Sequence, residues 1–223
     1  MLGELISGNF GFTDAIIYIL SSLAVVFLTM PIHEFAHGFI ADKLGDPTPR
    51  YQGRLTLNPF AHIDYMGSLC ILLFGFGWAK PVQVNAYNFR KPKRDMALTA
   101  LAGPVSNILL ALICLILANV VILITNSIRL YYVIAFFFYV AQINVSLAVF
   151  NLIPIPPFDG SRLLAVFLPD KYYYKLMRYE RYIYFGLLAL LFLGILDIPL
   201  MNASNAVMSV LNDIASLPFK LLR

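Results

Sequence analysis

Charged residues are scarce in this chain. Asp, Glu, Lys and Arg make up 13% of its 223 residues, about half the share of a soluble globular domain. With 60% hydrophobic residues and a mean hydropathy of +0.78, that shortage excludes an ordinary soluble protein. Cysteine is nearly absent as well. Cys70 and Cys114 both fall in apolar stretches, which excludes a disulfide framework or a Cys-rich zinc site and leaves two small buried hydrophobes. Internal repeats, low-complexity tracts and hydrophilic stretches of domain size are missing too. The net charge of +4 does not point to nucleic acid, because the basic residues sit in short loops, where they set orientation. The first apolar run lacks the basic lead and small-residue cleavage site of a signal peptide, since Glu4 and Asp14 come first. These absences leave a multi-pass integral membrane protein with the lipid bilayer as a partner.

The expected fold class is all-α and polytopic, a single domain over 1–223. Core helices are expected at about 15–41, 96–124 and 130–153, with one or two C-terminal helices at about 183–217. Pro31 should disturb the first helix by removing a backbone donor. Asn126 to Arg129 reads as a tight turn. The stretch of about 42–95 reads as a small β and re-entrant insertion, with short strands around "GRLTLN" at 53–58 and an alternating "PVQVNAY". Within it, "SLCILLFGFGW", 68–78, is apolar but too short to span. Basic residues flank it on both sides, Arg50 and Arg54 before, Arg90, Lys91, Lys93 and Arg94 after. Both flanks are then cytoplasmic and the segment re-enters rather than crosses. "PDKYYYKLMRYERY" is a charged amphipathic segment, and Trp78 reads as an interfacial anchor.

Against this apolar background stands "PIHEFAHGFIAD", 31–42. His33 and His37 are four apart, so on a helix they share one face. Two neutral imidazoles at that spacing can hold one zinc ion, and Glu34 sits where a carboxylate can take a proton from a water beside the metal. Intramembrane ionisable groups are costly enough that function is the default reading. A catalytic zinc site takes a third protein ligand. His62, or a carboxylate at similar membrane depth, can supply it. Asp159, in the proline-rich end of the third core helix, lies at that depth, yet Asp159-Gly160 is also an ordinary turn pairing. Residue chemistry alone leaves ligand and turn open.

"HEFAH" in a transmembrane helix, followed by "NLIPIPPFDGSRLL" at the end of a later one, resembles the site-2 protease family of intramembrane zinc metalloproteases. Asn151, Pro154, Asp159 and Gly160 match its second motif. "GRLTLNPFAHID", "FGWAKPVQVNAYNFR" and "LAGPVSNILLAL" also look like the short bacterial and archaeal members, without PDZ or CBS domains. The resemblance implies that Asp159 is the third ligand of one zinc ion per chain, that Glu34 is the general base, and that the substrate is a transmembrane protein cut near the cytoplasmic side of a prokaryotic cell membrane. Gly103, Pro104 and Asn107 match a further family motif. Asn151 and Asn107 are candidates to hold substrate backbone, and His62 is either a loop histidine or a gate at the zinc. A rival reading keeps the zinc and drops proteolysis, giving a membrane zinc-binding protein or transporter. The C-terminal apolar segments carry no ligand and are expected to be free to move.

Overall fold

Among the described residues, 11–74, 78–124 and 130–220 of this computed structural model, the chain is helical and forms no strand. Helix α1, Phe12–Leu44, is one continuous rod. The disturbance expected from Pro31 takes the form of a π turn at Val25–Thr29. Pro31 cannot donate to the carbonyl four residues back, and a widened turn absorbs the misfit without ending the helix. Gly45, at φ 112°, closes α1 in the left-handed conformation that suits glycine.

Helix α2, Tyr65–Phe74, spans 10 residues, about 15 Å against a hydrocarbon core of about 30 Å. Ile71, fully buried, packs with Val25, Met30 and Val140. The chain then returns beside its own entry. Lys80 N donates to His62 O at 2.8 Å, and Gly67 abuts the backbone of Trp78 so closely that a Cβ there would collide with it. Residues 62–67 and 78–80, on either side of this helix, therefore lie together.

The strands expected at 53–58 and in 81–87 do not form. Alternating residues give an extended chain, but a strand also needs a partner ladder. Here the backbone donors are spent elsewhere. Val82 N goes to the Glu34 carboxylate, and Asn85 N goes to Asp46. Asn58 instead caps a short turn at Pro59–Ala61.

Helix α3, Pro92–Ile124, begins earlier than the apolar run. Pro92 suits the first turn, and the Asp95 carboxylate accepts from Lys91 N at 2.9 Å. Helix α4 is Tyr131–Asn151, and the turn expected at 126–129 lies outside the described residues. α1, α3 and α4 are long and apolar enough to cross a membrane. Helices α5 (Asp159–Phe167), α6 (Asp170–Arg178), α7 (Glu180–Phe192) and α8 (Asp197–Lys220) follow. The charged amphipathic segment becomes α6 and the start of α7.

α3 is central and packs against α1, α4, α5 and α8. α1 and α4 are joined by polar contacts inside the apolar layer. Ser21 donates to Phe136 O, and Asn144 donates to Thr29 Oγ1 at 3.2 Å. The two C-terminal segments behave differently from one another. α8 buries Leu211 and Ala215 against α3 and α4, so it is held. α7 has only slight packing beyond α6.

Candidate metal centre and cavity

His33 and His37 face α3 one helical turn apart. Three positions of α3, each four residues from the next, receive them. The Thr99 carbonyl meets His37 Nδ1 at 2.7 Å, and Asn107 Oδ1 meets His33 Nδ1 at 3.3 Å. Gly103 lies between and lets the helices close. A Cβ at Gly103 would run into Nε2 of His37 and sit 2.6 Å from Nε2 of His33.

Both Nδ1 atoms face oxygen acceptors, so each carries the proton and each Nε2 keeps its lone pair. Those lone pairs converge. The two Nε2 atoms are 3.0 Å apart, and Asp159 Oδ2 is 3.5 Å from His33 and 3.2 Å from His37. Two lone pairs and a carboxylate oxygen at such spacing repel one another unless a cation lies among them. Zinc bonded tetrahedrally to N and O at about 2.0–2.2 Å sets its ligand atoms roughly 3.3–3.6 Å apart. The observed triangle is close to that size, and the three residues form a group able to hold one metal ion. The donors therefore fit zinc.

Asp159 opens α5 just beyond the proline-rich break after α4. Gly160 seats it. A Cβ there would strike the carbonyls of Leu152 and Ile153 at the end of α4. The break thus folds the carboxylate back onto α1. Glu34 is buried, and its Oε2 accepts from Val82 N at 2.8 Å. One carboxylate oxygen is thereby fixed.

These groups face a cavity of about 310 Å³ lined also by Asn107, Asn151, Trp78 and Arg162. Tyr184, Leu187, Leu188 and Leu191 of α7 form an apolar wall of it. Of the residues singled out in the sequence, His33, Glu34, His37, Asp159, Asn107 and Asn151 come together here. His62 does not line the cavity. It is fully buried, and its Nε2 meets the Thr56 carbonyl at 2.9 Å. Asn107 reaches His33 rather than lying free in the cavity. Trp78, expected as an interfacial anchor, lines the cavity.

Residues the sequence reading missed are Thr99, Val82 and Arg162. Thr99 and Val82 act through backbone atoms that every residue type offers, so no side-chain pattern marks them. Arg162, one turn after Asp159 in "DGSR", was readable as a charge on the face that carries Asp159.

Outside the cavity, Asp46 is fully buried where α1 ends. It accepts from Thr48 N and Oγ1, Asn85 N and Asn88 Nδ2. Burial pushes its carboxyl upward, but these hydrogen bonds outweigh it and hold it below the usual carboxylate range. Asp46 thereby ties the 85–88 turn, and with it the segment carrying Val82, to the end of α1.

The family described as "Peptidase family M50" matches residues 119–194, which include the Asn151–Asp159 motif. A Bacillus subtilis protein named as a candidate zinc metalloprotease, YwhC, is 40% identical over 172 residues, covering 74% of this chain and 75% of that one. A similarly named Methanocaldococcus jannaschii protein, MJ0611, is 31% identical over 153 residues, 67% of this chain and 72% of that one. Rip2 of Mycolicibacterium smegmatis, also so named, is 32% identical over 138 residues, 60% of this chain and 51% of its own length. No solved structure matches the chain.

Proposed function

We propose, on the premise that this chain belongs to peptidase family M50 and is a membrane-embedded zinc metallopeptidase, that it cuts transmembrane protein substrates within the bilayer, near its cytoplasmic face, as in regulated intramembrane proteolysis. The observation that carries the reading is the cavity, in which the Glu34 carboxylate, the His33, His37 and Asp159 group and an apolar wall meet.

His33, His37 and Asp159 would hold one zinc ion, which supplies a Lewis acid that polarises the scissile carbonyl and acidifies a neighbouring water. Glu34 is the general base. Its Oε2 is held by Val82 N, so Oε1 takes the proton of the attacking water and returns it to the leaving nitrogen. Asn151, at the last turn of α4, offers an amide to substrate backbone. Asn107 positions His33 through Nδ1. His62, fixed on the Thr56 carbonyl, holds the mouth of the re-entrant segment through its own carbonyl and Lys80 N, which favours the loop role over a gate.

Apolar walls around the base suit a membrane-spanning segment rather than a hydrated peptide. A helix hides its scissile bonds in backbone hydrogen bonds and must open before attack. α7 can admit it. That helix carries no ligand, lines the cavity and packs slightly on the rest, whereas α8 is anchored. The basic loops around Lys43, Arg50, Arg90 and Lys93 follow the histidine end of α1, which orients that end to the cytoplasm of a prokaryotic cell.

The test is reconstitution in vesicles with a set of membrane-spanning substrates, comparing the protein with Glu34→Gln. Cleavage by the first and none by the second, at equal zinc content, is the expected result. Equal cleavage by both removes Glu34 as base. Zinc binding with no cleavage of any substrate by either leaves a zinc-binding membrane protein.

A further inference from the structure

The proton transfers above make no use of Arg162, although it lines the catalytic cavity. It lies on α5, one turn after Asp159, and is half-buried. Among the described residues, its one hydrogen bond, from Nη1, goes to the Met96 thioether sulfur at 3.9 Å, a weak acceptor. Among the described residues, no carboxylate lies at ion-pair distance from it.

The two carboxylates in the cavity are already engaged. Asp159 points at the histidines, and Glu34 is held by Val82. A dication at the histidines is balanced by those two groups, so the guanidinium is the surplus charge of the cavity. Met96 also borders a second recess, lined by Lys91, Lys93 and Arg94. A snorkelling arginine would send its head into water and need no acceptor. Arg162 lines a cavity with apolar walls, where an unmatched planar fork of donors selects an anion of matching shape.

We propose that Arg162 determines specificity by binding a carboxylate of the substrate next to the scissile bond. This rests on the proteolytic reading for its biological meaning, but the recognition itself is a binding property. The carboxylate is either an Asp or Glu side chain or a chain terminus. The chemistry is the same, and the experiment separates the two.

Zinc-loaded Glu34→Gln protein in lipid nanodiscs binds substrate without turnover. Fluorescence anisotropy of labelled membrane-spanning peptides then reads affinity alone. One series carries Glu or Gln at each position in turn along the half nearer the basic loops, with an amidated end. A second series carries Gln throughout and ends in a free carboxylate or an amide. One carboxylate-bearing peptide should bind about tenfold more tightly than its neutral twin, as a charge-assisted fork contact implies. Adding Arg162→Gln should level the pair, and Arg162→Lys should restore part of the preference. In the active protein the same peptide should show a lower KM with kcat little changed. Binding that is indifferent to every carboxylate, or a preference that survives Arg162→Gln, overturns the proposal. A preference without cleavage in the active protein would instead remove the proteolytic reading and leave this one standing.

Discussion

Gly103→Ala tests the metal centre without touching a ligand. The added Cβ would collide with Nε2 of His37 and lie 2.5 Å from Cε1 and 2.6 Å from Nε2 of His33. Carbon and ring atoms do not approach within 3.0 Å, so a histidine must retreat by several tenths of an ångström or the helices must part. Neither is free. The rings are pinned at Nδ1 by Thr99 O and Asn107, and the Met30–Leu44 part of α1 packs closely against α3. Zinc bonds tolerate displacements of about 0.2 Å. The methyl also occupies the space where the lone pairs converge. Loss of an orienting contact alone costs roughly 10–100-fold in metal affinity, and filling the cradle should cost at least as much. The assay is zinc per chain by elemental mass spectrometry on detergent-purified protein, beside helical content by circular dichroism. Expected is normal helicity with zinc well below one per chain. A folded variant with full zinc would show that the ion does not sit between these histidines.

Three further outcomes follow from the same geometry. Asp159→Ala should lower zinc occupancy while His62→Ala leaves it intact, measured as above; the reverse pattern would move the third ligand to His62. Single cysteines near Arg54 and Arg90, in a background without Cys70 and Cys114, should label from the same side of sealed vesicles, and labelling from opposite sides would make 68–78 a span. Asp46→Asn should destabilise the protein at neutral pH. Because the folded-state pKa of Asp46 is depressed, its contribution is full above the unfolded value of about 3.9 and fades as pH falls through the folded value. Melting temperatures of the two forms should therefore converge in acid, and a constant gap down to pH 2 or so would exclude the carboxylate as cause.

The sequence was most legible where side-chain type carries the information. The HEFAH spacing and the apolar lengths of α1, α3 and α4 each map to something one residue type can do and its neighbours cannot. Residues 53–58 and 81–87 misled, because alternation shows that a chain is extended and not what pairs with it. The donors of Val82 and Asn85 go to carboxylates of α1 and its C-terminal loop, contacts 48 and 39 residues away in sequence. The third ligand was undecidable from residues for a related reason. Asp159-Gly160 is a turn by local chemistry and a candidate ligand by tertiary placement, and only the fold brings Oδ2 within 3.2 Å of His37 Nε2.

That placement explains the proline-rich break after α4. A continuous helix would carry the residue at 159 onward past the histidine level, away from α1. Pro154, Pro156 and Pro157 cannot donate backbone hydrogen bonds, so α4 ends at Asn151 and a new helix starts at Asp159. The restart puts a helix N-terminus, the end that favours negative charge, under the carboxylate. Gly160 lets it press against the Leu152 and Ile153 carbonyls. One turn later the same short helix delivers Arg162 to the cavity. The break therefore sets two charges of opposite sign one helical turn apart, Asp159 turned inward to the histidines and Arg162 lining the cavity.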